Sequence, residues 1–89
     1  MTKSEKEMAI IKVAIQIPKM YGDYKLIDSL ERGIARVMGY EIYTFRNRQW
    51  SFKNDEERKN TNTIIQKMEE RKIIKMSKSG QAFKLLKAE

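Results

Sequence analysis

The sequence predicts a small α+β domain, mainly helical, that closes on a two-stranded C-terminal hairpin. Three observations predict it. Apolar residues recur at steps of three and four in three segments, each bounded by capping residues, Pro18 or Gly39. After the third segment, Ile73–Met76 and Gln81–Leu86 read as two strands around the turn Ser77-Lys78-Ser79-Gly80. The 89 residues suffice for one domain with one modest core, so residues 1–89 are expected to form a single unit.

Two overlapping capping boxes open the chain, Thr2-Lys3-Ser4-Glu5 and Ser4-Glu5-Lys6-Glu7. In each, a hydroxyl can accept the N3 amide while a glutamate reaches back to the cap. Met8, Ile11, Ala14 and Ile15 then mark a helical stripe that Ile10, Val13 and Ile17 widen, and Pro18 stops it. A stripe this wide belongs to a central core helix or to one partly buried in a partner. Lys19 to Asp23 reads as a turn, with Asp23 the expected cap of a second helix. Leu26, Ile27, Leu30, Ile34 and Val37 give that helix one apolar face. Gly33 inside it costs up to about 1 kcal/mol against alanine, which points to close packing, and Gly39 ends it.

Tyr40 to Lys53 leaves a hairpin, an irregular loop and a short helix open. Tyr40–Phe45 has strand composition, Arg46–Gln49 can turn, and Trp50-Ser51-Phe52 can return. Tyr43, Phe45, Trp50 and Phe52 are expected in the core, since a small chain needs its large side chains to fill space. The alternative is a stacking surface for single strands, which use aromatics interleaved with cations such as Arg46, Arg48 and Lys53.

Asn54 or Asp55 caps the third helix, whose first turn carries Asp55, Glu56 and Glu57 at the positive end of its dipole. Thr61, Ile64, Ile65 and Met68 form the expected inner face, with Lys59, Thr63, Gln66, Lys67 and Glu70 opposite. The helix is expected to end near Arg71-Lys72.

Charge is unevenly placed. Of a formal +7, residues 1–45 carry seven basic and six acidic side chains, while residues 46–89 carry twelve and six. A one-sided basic surface attracts polyanions, nucleic acid foremost. With neither histidine nor cysteine, the commonest catalytic bases, nucleophiles and metal ligands are missing, so no enzyme activity and no cofactor are expected. The lack of cysteine suits a reducing interior, and no stretch approaches a membrane span or a signal peptide. A cytoplasmic protein is the expectation, nucleoid-associated if prokaryotic or viral.

The stretch from Asn62 to Lys75 (Asn62-Thr63-Ile64-Ile65-Gln66-Lys67-Met68-Glu69-Glu70-Arg71-Lys72-Ile73-Ile74-Lys75) resembles the recognition helix and first wing strand of winged-helix transcription regulators. In that family an apolar–Glu–Glu–basic ending, often a glycine, and Leu-Ile or Ile-Ile precede a wing tipped by small polar residues, as Ser77–Gly80 are. The resemblance covers Asn60 to Lys87. Lys72 stands where the family often has glycine, and about fifteen residues separate Gly39 from Asp55 where the family has a short helix and a tight turn.

The resemblance implies a winged helix-turn-helix that binds duplex DNA, because the major groove admits one α-helix between two rows of phosphates. Asn60, Asn62, Thr63 and Gln66 are then the candidate base readers: Asn and Gln suit adenine, and Thr the thymine methyl. Arg46, Arg48, Arg58, Lys59, Lys67, Lys75, Lys78 and Lys84 are the candidate phosphate contacts. Family members often pair through terminal helices, which implies a homodimer through the first helix. The expected function is transcriptional regulation by promoter occupancy. A replication or plasmid-maintenance module, and a protein-interaction or RNA-binding adaptor, stand as alternatives.

Overall fold

The computed structural model describes residues 2–20 and 22–86. Tyr21, inside the expected first turn, and Lys87, the last residue of the resembling stretch, lie outside the described residues. The chain runs α1 (Lys3–Gln16), β1 (Tyr24–Leu26), α2 (Ile27–Met38), β2 (Ile42–Thr44), a 3-10 turn (Arg46–Arg48), β3 (Trp50–Phe52), α3 (Asp55–Glu70), β4 (Ile74–Met76) and β5 (Ala82–Leu85). It is a small α+β domain.

α1 starts on the first capping box. The Thr2 amide donates to Glu5 Oε1 at 2.9 Å, and the Glu5 amide donates to Thr2 Oγ1 at 3.2 Å. Hydrogen bonding from the Thr2 amide, and then from the Thr2 side chain, holds the Glu5 carboxyl below its ordinary range. At the other end, a residue from the following strand does the capping. Lys25, only 5% exposed, sends its ammonium to Ala14 O at 2.7 Å and Ile15 O at 3.0 Å. These are two of the carbonyls a helix C-terminus leaves unpaired, at the negative end of its dipole. Burial, and then Lys19, push the Lys25 amine below the usual lysine range.

Lys25 sits there because Tyr24–Leu26 is a strand, which corrects the expected cap at Asp23. β1 pairs antiparallel with β5 (Tyr24 with Lys84, Leu26 with Ala82), and α2 begins at once, with Leu26 as an N-cap that makes no side-chain cap bond. The C-terminal hairpin is therefore part of a three-stranded sheet, order β1-β5-β4, and not a free pair of strands.

The core forms where these elements meet: Ile10 and Ala14 of α1, Leu30 and Ile34 of α2, Ile65 and Met68 of α3, and Ile73, Ile74 and Phe83 of the hairpin. Thr61 is fully buried among them, its hydroxyl donating to Glu57 O at 3.0 Å. α1 and α2 touch closely at Gly33, where an added Cβ would overlap Val13 Cγ1. α1 is less buried than its sequence stripe suggests: Met8 stays 60% and Ile15 40% exposed.

Candidate nucleic-acid interface

α3 is positioned from both ends. Asn54 caps it, its side chain accepting from Glu56 and Glu57 amides at 2.8 and 3.4 Å. Its far end closes through Ile73 N–H to Met68 O at 2.9 Å and Lys72 N–H to Glu69 O at 3.0 Å. This pair of bonds is a Schellman motif, with Met68 and Ile73 packed in the core beside it. The motif needs a left-handed residue, and Lys72 supplies it at φ 59°. The residue that replaces the family's frequent glycine thus adopts a glycine-like conformation. Gly39, at φ 75°, closes α2 with the same pair of bonds, Tyr40 N–H to Ala35 O and Gly39 N–H to Arg36 O.

The outward face of α3 is in solvent. Lys59, Asn60, Asn62, Thr63, Gln66 and Lys67 are all exposed, while Thr61, Ile65 and Met68 face the core. At about 100° per residue, Lys59, Thr63, Gln66 and Glu70 share the outermost strip. Asn60 and Asn62 diverge by about 160° and flank it on opposite sides. Asn60 lies on the side of Lys67, which borders a groove against α1 floored by Ile10, Ile11 and Ile64. One face of the helix therefore gathers Lys59, Asn62, Thr63 and Gln66, and Asn60 is not among them. The Thr63 hydroxyl donates back to Lys59 O at 3.1 Å, leaving its methyl and a lone pair outward.

The cations divide into paired and unpaired sets. Arg58 binds Asp55 through Nε at 2.9 Å and Nη2 at 2.6 Å, and Lys59 reaches the same carboxylate at 3.5 Å. The Asp55 carboxyl is held low, first by Arg58 and then by Lys59. Lys84 is half-buried and faces Asp23 at 3.9 Å. Among the described residues Arg46, Arg48, Lys67, Lys75 and Lys78 form no ion pair and are exposed. α3 itself carries five acids and three bases, for −2, with the acids confined to its first turn and last two residues. The positive excess sits beside it. Residues 46–54 hold three bases and no acid, and residues 71–86 hold five bases and no acid. α3 packs against β3 at one end and β4 at the other, so a cationic hairpin adjoins each end.

The segment from Tyr40 to Lys53 is a hairpin, and it carries the largest correction. Ile42 pairs with Phe52 and Thr44 with Trp50, so Ile42, Thr44, Trp50 and Phe52 point to one side. On that side Trp50 and Phe52 meet edge to face at 4.8 Å, and Trp50 Nε1 donates to Asp28 Oδ1 at 3.0 Å. None of the four aromatics expected in the core is fully buried. Trp50 and Phe52 are half-buried, and Tyr43 and Phe45 are 49% and 55% exposed on the other side. The reason is length: three-residue strands cover the flank of α2 with one face and have nothing to cover the other.

The tip of this hairpin places Asn47 and Arg48 both at φ 63°. Two left-handed residues in succession suit a tight hairpin turn, for which Asn-Gly is the relaxed pair. Arginine in the second place is strained, and it holds a cation at the tip. Among the described residues no cluster of acidic side chains could hold a metal ion, and no helix is long and apolar enough to cross a membrane. Compared with family models, curated proteins and solved structures, the chain matches none.

Proposed function

We propose that the chain is a winged helix-turn-helix domain that binds duplex DNA in a sequence-dependent way, most simply as a transcriptional regulator that occupies a promoter. One observation carries the reading: α3 exposes a polar strip, with Asn62, Thr63 and Gln66 between Lys59 and Glu70, and an acid-free, cationic hairpin adjoins each end of the helix. Thr63, Gln66 and Asn62 are side chains that read base edges, and a groove offers phosphates on both sides of an inserted helix. Lys75 and Lys78 on the C-terminal hairpin, with Arg46 and Arg48 on the other, are the phosphate contacts. Lys59 and Arg58 join them only by giving up Asp55. The connection between α2 and α3 departs from the family pattern, since a β-hairpin stands where a tight turn is usual.

Exposed Met8 and Ile15 on α1 extend the proposal to a homodimer through that helix, which suits a twofold DNA site. The acid surplus of α3 favours a second reading, an adaptor that binds protein and no DNA.

Anisotropy of a labelled duplex across a salt series separates the two. The DNA reading predicts affinity that falls steeply with salt, as release of counterions from several phosphates requires. Absence of binding at low salt would leave the adaptor.

A further inference from the structure

We propose that the outer face of the β2–β3 hairpin is a stacking surface for unpaired DNA bases, so that the domain prefers a duplex bordered by a single-stranded segment. This rests on the duplex-binding reading and adds a second contact to it.

The hairpin has two faces that the register assigns without ambiguity. Ile42, Trp50 and Phe52 face the body of the domain, where Trp50 reaches Asp28 of α2 and β3 packs against α3. Tyr43, Phe45, Ser51 and Lys53 face solvent, because side chains alternate along a strand. Tyr43 and Phe45 lie two residues apart on that outer face, their ring centroids 6.3 Å apart and their planes 32° from parallel. Lys53 Nζ lies 5.2 Å from the Tyr43 ring centroid, and Arg46 and Arg48 follow at the tip. No acid occurs between Ile42 and Asn54, and the nearest, Glu41, is held by Lys53 at 3.5 Å.

Two exposed rings tilted 32° to one another, with Lys53, Arg46 and Arg48 beside them and the one bordering acid, Glu41, paired to Lys53, match one kind of partner. Bases present flat π faces joined by phosphates, and single-strand binders combine aromatic platforms with basic side chains for that reason. An apolar protein patch would need no arginines, and duplex DNA offers no free base face. The Trp50–Asp28 bond ties the hairpin to the first turn of α2, and Gln81 O accepts the neighbouring Ile27 amide at 3.0 Å. The aromatic hairpin and the C-terminal hairpin are thus anchored on consecutive residues.

The test is anisotropy on three labelled DNAs of one sequence: a blunt duplex, the same duplex with an overhang of about ten nucleotides, and the overhang strand alone. The full chain should bind the overhang form roughly tenfold more tightly than the blunt form. Tyr43→Ala/Phe45→Ala should erase that preference and leave blunt-duplex affinity and its salt slope unchanged, because no cation is removed. Tyr43→Leu/Phe45→Leu keeps apolar bulk without a π face and should behave like the alanine pair. Thermal melts of both variants establish that they fold. Tight blunt binding with no overhang preference overturns this proposal and spares the duplex reading. Overhang binding that depends on Tyr43 and Phe45 without blunt binding supports this proposal and overturns the duplex reading. A preference that survives both variants, or an RNA overhang preferred to DNA, overturns it.

Discussion

Single residues hold together what the periodic patterns cannot. Lys25 closes α1 from a neighbouring strand, so Lys25→Met should lower stability by about 1–3 kcal/mol by leaving two carbonyls unpaired in the interior. A denaturant titration checks it, and an unchanged midpoint would show that water serves the carbonyls equally well. Lys72 bears the opposite sign. Its left-handed backbone disfavours any side chain, so Lys72→Gly should raise stability by up to about 1 kcal/mol in the same assay. Glu31 adds a pH dependence. Burial raises its pKa first, Asp28 adds to the rise, and Arg58 partly opposes it. The folded state therefore holds this proton more tightly than the unfolded chain. The resulting stabilisation is complete below the unfolded value of 4.5 and is lost as pH rises through the folded one. Glu31→Gln should raise the melting temperature at pH ~7 and lose that advantage near pH ~4. An advantage that is equal at both values would assign it to packing instead.

At the scale of elements, legibility followed the reach of each signal. α1 and α3 are legible because a capping residue, an apolar period and a stop lie within one segment, and α2 is legible from its apolar period and its stop at Gly39, though not in its cap. Thr2 with Glu5, Asn54 and Gly39 all act where the sequence places them. β1 was not legible, since a three-residue strand has no period of its own and exists because β5 offers it an edge. The β2–β3 hairpin was one of three open readings, and the burial of its aromatics was misjudged. Residue type alone does not reveal that one sheet face has no layer above it. The candidate site was legible in part. The polar strip of α3 follows from helical spacing, but the ion pairs of Arg58 and Lys59 with Asp55 and of Lys84 with Asp23, and the divergence of Asn60 from Asn62, weaken four of the twelve candidate contacts. On this geometry Gln66→Ala should cost discrimination between related DNA sites more than overall affinity, as a base contact does. Equal loss on every sequence would move Gln66 to the phosphates.

For the whole molecule, the proposed function divides the roles between a helix of net −2 with an exposed polar strip and two cationic hairpins. The first supplies selectivity and the second attraction, so the two should fail separately. The duplex salt slope should drop by about one unit for each of Lys75 and Lys78 replaced by alanine, with site preference intact. Self-association belongs to this scale too. Light scattering should report a dimer that Met8→Glu/Ile15→Glu converts to monomer, and a wild-type monomer at high concentration would confine α1 to the core.

The most direct measurement is an amide chemical-shift titration of the labelled chain with a short duplex. Shifts are expected to concentrate at Lys59–Lys67 of α3 and at the two hairpin tips, Arg46–Arg48 and Ser77–Gln81. Shifts confined to α1 and its groove, or none at all, would contradict the duplex reading.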